Sequence, residues 1–177
     1  MAFWIKGVPI QKQYMPVYPV ASTATGMVKS TDVGRLCVAN STATGWGGYS
    51  PQGGLPLGTT ADSYRIIGII ATVPDATSAG STVPFYVQPI LRGDIVEAQY
   101  STTVERSTGV SIITSTNKGY WLGIGGGSTA TVYGKYIDPS LASTAPGTTD
   151  GLFFKMLGYS TQNDTVWGVI NSSHIAN

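Results

Sequence analysis

Across the 177 residues, apolar side chains never recur with a helical period through three turns. They come instead in short runs, each closed by Gly, Pro, Asn or a Ser/Thr cluster, the punctuation of strands and turns. The clearest run, SYRIIGIIATV over 63–73, predicts a buried strand with Gly68 at a bulge. Further strands are expected at Val33–Ala39, Gly109–Thr114, Gly119–Ile124, Thr129–Ile137, Gly151–Tyr159 and Thr165–Ile170. Thr82–Leu91 and Asp94–Tyr100 read as a hairpin across Arg92-Gly93, with Pro84 and Pro89 making its first arm an edge or bulged strand. Long connections at Thr42–Thr60 and Pro139–Asp150 favour a crossing path over a meander. The expectation is all-β: a β-sandwich or a jelly-roll-like, Greek-key barrel, with an extended N-terminal arm.

That arm, residues 1–30 ahead of a body at 31–177, holds Pro9, Pro16 and Pro19 and cannot be a helix. It also carries Phe3, Trp4, Tyr14 and Tyr18, surface that water disfavours by about 25 cal/mol per Å². The arm must therefore lie on something. Either it is an edge strand of its own domain, or it reaches a neighbouring subunit with those four aromatics as anchors.

Charge excludes several functions. Lys and Arg total 10 against 9 Asp and Glu, and charged residues make up 11% of the chain, under half of the roughly 25% usual in soluble domains. The basic residues are scattered singly, so nothing resembles a phosphate-binding face, and no nucleic-acid partner is expected. The most apolar stretch, Ile66–Val73, is far short of the roughly 20 residues of a spanning helix. The opening MAFWIKGVPIQKQY lacks the form of a secretory signal, and Cys37 has no second cysteine to pair with; both lead to an expectation of cytoplasmic synthesis. A hydrogen-bonding but weakly charged surface suits burial against neighbours.

Catalytic parts are sparse, and no catalytic, cofactor-binding or metal-binding residue is assigned. His174, the single histidine, sits close to the chain end, and Cys37 lies in an apolar strand where an inert thiol is the ordinary outcome. The nine acids stand apart, mostly beside turn residues. TGWGGYSPQGG and LGIGGGST each miss the last glycine of a dinucleotide loop, having Ser50 and Ser128 there. Arg92-Gly93-Asp94 is ordinary turn chemistry, and the sequons at Asn40, Asn163 and Asn171 are what a Ser/Thr-rich chain yields by chance.

The extended start GVPIQKQYMPVYPV, the strand-turn-strand LRGDIVEAQYST and the closing LFFKMLGYSTQNDTVWGVINS resemble small structural proteins of tailed-bacteriophage virions, especially capsid decoration (cement) proteins. The resemblance implies a β-rich, non-enzymatic protein, made in the host cytoplasm, that forms homo-oligomers, trimers above all. Its partner would be the major capsid protein on the outside of the shell. The alternative is a carbohydrate- or receptor-binding module of a tail or fibre, with Trp46, Tyr49, Tyr120 and Trp121 stacking on sugar rings.

Overall fold

Alternating burial runs through the strands of the computed structural model. It describes residues 3–6, 14–19, 28–44, 47–51, 65–74, 82–99, 115–124, 137–145 and 154–175. In chain order the strands are Phe3–Ile5 (β1), Met15–Val17 (β2), Leu36–Thr44 (β3), Gly47–Pro51 (β4), Arg65–Thr72 (β5) and Phe85–Pro89 (β6). Ile95–Gln99 (β7), Trp121–Ile124 (β8), Ile137–Ser143 (β9), Phe154–Ser160 (β10) and Thr165–Ile170 (β11) follow. Among the described residues helix is confined to single 3-10 turns at Ser30–Asp32, Ser115–Asn117 and Ser172–His174. The chain is all-β, an antiparallel sandwich of a six-stranded sheet ordered β1-β7-β11-β10-β8-β9 and a five-stranded sheet ordered β2-β6-β5-β3-β4.

The two sheets share one core. Phe3, Val96, Ala98, Leu122, Ile137, Phe154, Met156, Val166 and Ile170 point from the larger sheet towards Leu36, Val38, Ile66 and Ile69 of the smaller. On β3 and β5 the intervening residues face the other way. Cys37 and Ile70 join Val17, Val28, Phe85 and Val87 in a second cluster, so the smaller sheet is apolar on both faces. Its outermost strands explain why. Pro19 bridges Tyr49, and the Tyr49 N–H donates to the Tyr18 carbonyl at 3.1 Å. The sheet curls until its edges touch, enclosing the second cluster.

Curling needs bulges and a close approach. Ile67 and Ala71 are the extra residues where β5 shifts register against β3 and β6. Beside the first, a Cβ on Gly68 would come within 2.1 Å of the Gln88 carbonyl oxygen, so only glycine lets β6 pass this close. The bulge expected at Gly68 is present, one residue earlier.

Three sequence expectations are corrected. β6 and β7 are not a hairpin but belong to different sheets, although the chain does reverse between them. The Asp94 N–H donates to the Leu91 carbonyl at 3.1 Å, the Leu91 N–H donates to Asp94 Oδ2 at 2.7 Å, and Gly93 has φ +88°. β6 is also an interior strand: Pro84 lies just before it and Pro89 ends it, positions where a missing N–H breaks little of the ladder. Finally, the presumed long connections contain β4 and most of β9. The strand expected at Gly109–Thr114, and all but Ile137 of Thr129–Ile137, lie outside the described residues.

The described parts of the N-terminal segment are edge strands of the chain's own body. β1 pairs with β7 through Phe3↔Ala98, Trp4↔Glu97 and Ile5↔Val96, and β2 pairs with β6. Where β1 meets the smaller sheet, a corner joins the layers. The Phe3 N–H donates to the Gly34 carbonyl at 3.0 Å, and the Gly34 N–H to that of Ile70 at 2.8 Å. A buried Asp32–Arg35 ion pair at 2.6 Å holds this corner, with the Lys29 N–H on the second carboxylate oxygen at 2.8 Å. The far end of the chain is also tied in: Ile175 is buried in the shared core and bridges Ile66.

Candidate functional site

Among the described residues, several of the groups that chemistry would need are occupied by structure. Cys37 lies wholly inside the second cluster, and burial pushes its thiol far above the ordinary range, so it is no nucleophile. Asp32 is committed to Arg35, and Asp94 to its turn. Asp164 closes the β10–β11 turn with φ +51°, a left-handed conformation that Asp tolerates. Among the described residues no three His, Cys, Asp or Glu gather to hold a metal. His174 closes the last 3-10 turn beside the pinned Ile175. The first glycine-rich stretch contributes β4, a strand rather than a phosphate cradle.

What the fold presents instead is two aromatic surfaces. The first is the outer face of the six-stranded sheet, where the residues alternating with the core line up across the strands. Register places Trp4 opposite Glu97, Glu97 opposite Trp167, and Trp167 opposite Gly158. The adjacent row runs Val169, Lys155, Trp121, Ser143. Three of the four tryptophans therefore share one face, all half-buried. Trp167 lies flat on Gly158, where a Cβ would fall 2.5 Å from its ring. Over the ring stands Lys6, its Nζ 3.8 Å from the centroid. Lys6 also pairs with Glu97 at 3.1 Å, and the Thr165 hydroxyl donates to the other Glu97 oxygen at 2.9 Å. Lys155 stands 5.8 Å from the centroid of Trp121. This face is polar at its rim, and its central ring is already covered by a cation.

The second surface is a strip along β2. Met15 and Val17 face the second cluster, so Tyr14, Pro16 and Tyr18 face out, and Pro16 sits opposite Tyr86 of β6. Tyr14 is 59% exposed, Tyr18 36% and Tyr86 37%. The described body leaves most of Tyr14 uncovered and about a third of Tyr18 and of Tyr86.

The residues singled out from sequence thus separate. Phe3 is corrected as an anchor: at 1% exposure it is part of the core, because it alternates with the outward Trp4 on a strand of the shared sandwich. Tyr14 and Tyr18 remain on the surface. Tyr49 is half-buried at the closure of the smaller sheet, its phenol pushed up by burial and then by neighbouring Cys37. Tyr120 and Trp121 are half-buried at the start of β8 in the other sheet, so these candidates form no single patch; Trp46 lies outside the described residues. Sequence reasoning missed Trp167, Lys6, Glu97 and Tyr86. In FYVQP the alternation of Phe85 and Val87 with Tyr86 and Gln88 could have marked Tyr86 as outward, whereas TVWGVI is apolar on both faces and hides the direction of Trp167.

No helix among the described residues is long and apolar enough to cross a membrane. The fold is an all-β sandwich that carries two aromatic surfaces. The chain matches no protein-family model, no curated protein and no solved structure.

Proposed function

We propose that this chain is a non-enzymatic virion structural protein that decorates or cements a phage capsid through protein–protein contacts. The observation that supports the reading is the Tyr14–Pro16–Tyr18 strip with Tyr86. Tyr14 is mostly in water and Tyr18 and Tyr86 partly so on a β surface, and such aromatics dominate the binding energy of protein interfaces. The low charge of the chain favours the same use, since few ions need be desolvated when its surface is covered. The partner is the major capsid protein, and the chain acts as a homo-oligomer, a trimer foremost. Cosedimentation with purified tailed-phage heads tests this: the protein should travel with the heads, and Tyr14→Ala with Tyr18→Ala should release it. Free protein in the supernatant at micromolar concentration would remove the reading.

The alternative, a carbohydrate- or receptor-binding module of a tail or fibre, is favoured by Trp4 and Trp121 on the outer face of the larger sheet. Against it stands Trp167 between them, with Gly158 beneath and Lys6 above, so the middle ring of this face is closed to a sugar. A glycan array separates the two readings.

A further inference from the structure

Two lysine–tryptophan pairs stand on the outer face of the six-stranded sheet, and they differ in one respect. Lys6 lies on its ring, 3.8 Å from the Trp167 centroid, and its charge is met by Glu97 at 3.1 Å. Lys155 stands off its ring, 5.8 Å from the Trp121 centroid, and no carboxylate among the described residues pairs with it. The first pair is complete within the chain. The second has the same two groups and lacks the acid. Trp121 is also flanked by a polar group on its other side. Its partners in the row are Lys155 on β10 and Ser143 on β9, each one strand spacing away, about 4.8 Å. The Ser143 hydroxyl oxygen accepts from the Ala145 N–H at 3.3 Å, which leaves its own proton to be donated. Lys118, on the turn that leads into β8, is exposed and adds positive charge beside this end of the strand.

We propose that Trp121, Lys155 and Ser143 form a subsite for a sugar acid, one uronate ring of an acidic polysaccharide. This rests on the sugar-binding reading and names its ligand class and the ring that holds it. The C–H bonds on the apolar face of the sugar lie against the negative π face of Trp121. The carboxylate takes the place at Lys155 that Glu97 takes at Lys6, in a charge-assisted hydrogen bond. A hydroxyl or ring oxygen on the opposite side accepts from Ser143. Charge complementarity favours an acid over a neutral sugar: this face carries the ammoniums of Lys6 and Lys155 against the single carboxylate of Glu97 among the described residues. Peptides are captured at a sheet edge or in a groove, whereas Trp121 has β10 on one side and β9 on the other. A nucleic-acid strand needs more positive charge than a few separate lysines supply.

Calorimetric titration with a galacturonate hexamer and with a neutral glucose hexamer tests the assignment. The acidic hexamer should bind at least about tenfold more tightly, and its affinity should fall as salt is raised. Lys155→Gln should weaken the acidic hexamer about tenfold, and Lys155→Arg should restore most of the loss. Trp121→Ala should abolish binding, while Trp121→Phe, which keeps a ring, should retain part of it and separates lost stacking from lost folding. Equal affinity for the two hexamers, or a Lys155→Gln variant that binds as before, overturns the acid assignment and leaves the sugar reading standing. Binding of neither hexamer overturns the proposal, and the glycan array then decides the sugar reading by itself. Polyglutamate or a single-stranded oligonucleotide that binds as tightly as galacturonate overturns the assignment to a sugar.

Discussion

The ammonium of Lys6 stands 3.8 Å from the centre of the Trp167 ring, clamping the first strand of the chain across β7 onto the last. The clamp combines a cation–π contact with an ion pair to Glu97, which the Thr165 hydroxyl holds in place. Lys6 is partly exposed, so its charge is screened, and a pair of this kind contributes about 1 kcal/mol. Lys6→Met should cost that much in urea unfolding and shift the tryptophan emission. An unaltered emission spectrum would show that the contact is not held in solution.

Glycines set the shape of both sheets, and their replacement should separate by what a methyl group would meet. Gly68→Ala forces a Cβ against the Gln88 backbone and the Val87 side chain, neither free to retreat. A loss at or beyond the upper end of the about 1–3 kcal/mol typical of overpacking is expected. Gly158→Ala meets the Trp167 indole, which can lift, so the loss should be smaller and accompanied by altered fluorescence. Gly93→Ala meets nothing but keeps φ near +88°, and should cost about 1 kcal/mol. Thermal unfolding ranks the three; a silent Gly68→Ala would mean that β5 and β6 do not approach this closely in solution.

Burial of Cys37 predicts a pH dependence. Its folded-state thiol titrates above the unfolded value of about 9, so the folded chain keeps its proton while the unfolded chain loses it. The stability this contributes is fully present below pH 9 and is lost as pH rises beyond it, by up to about 1.4 kcal/mol per pH unit. Tyr49, also pushed up, adds a second loss above its unfolded value near 10. Unfolding followed from pH 8 to 10.5 should show the decline, and Cys37→Ala should flatten its first part. The native thiol should also resist a disulfide reagent until denaturant is added.

Much of this was legible in the sequence, and the limits have physical causes. Strand existence followed from alternation and breakers: Thr165–Ile170 was expected with the bounds it has, and β5 within two residues at its start. Which sheet each strand joins was not legible. The Leu91–Asp94 turn reverses the chain equally well within a sheet or between sheets, and only the facing of Phe85 and Val87 decides. The five-stranded sheet, closed on itself, needs residues on both faces of β3 and β5 to be apolar. In one dimension this reads simply as a strongly buried strand. For the surfaces, the error was at Phe3: composition marks an aromatic residue as needing burial, but only register tells whether its own core or a partner supplies it.

That distinction gives the sharpest test, because neighbouring aromatics of one segment should behave in opposite ways. Phe3 is buried by the chain itself, so Phe3→Ala should lower stability by about 3–5 kcal/mol. Removing residues 1–20 also strips β2 and the buried Val17, and should unfold much of the body rather than leave it intact. Tyr14, Tyr18 and Tyr86 are on the surface, where truncation normally changes stability by less than about 0.5 kcal/mol. Their replacement by alanine should leave the thermal transition in place. Binding is where their loss should appear: an interface centred on such rings gives up about 2 kcal/mol or more at a dominant position, roughly a thirtyfold weakening. Calorimetry on the triple variant, beside sedimentation with phage heads, measures both quantities on one protein. A triple variant that melts normally and still travels with the heads would move the contact away from β2, leaving the tryptophan face of the larger sheet as the surface to mutate next.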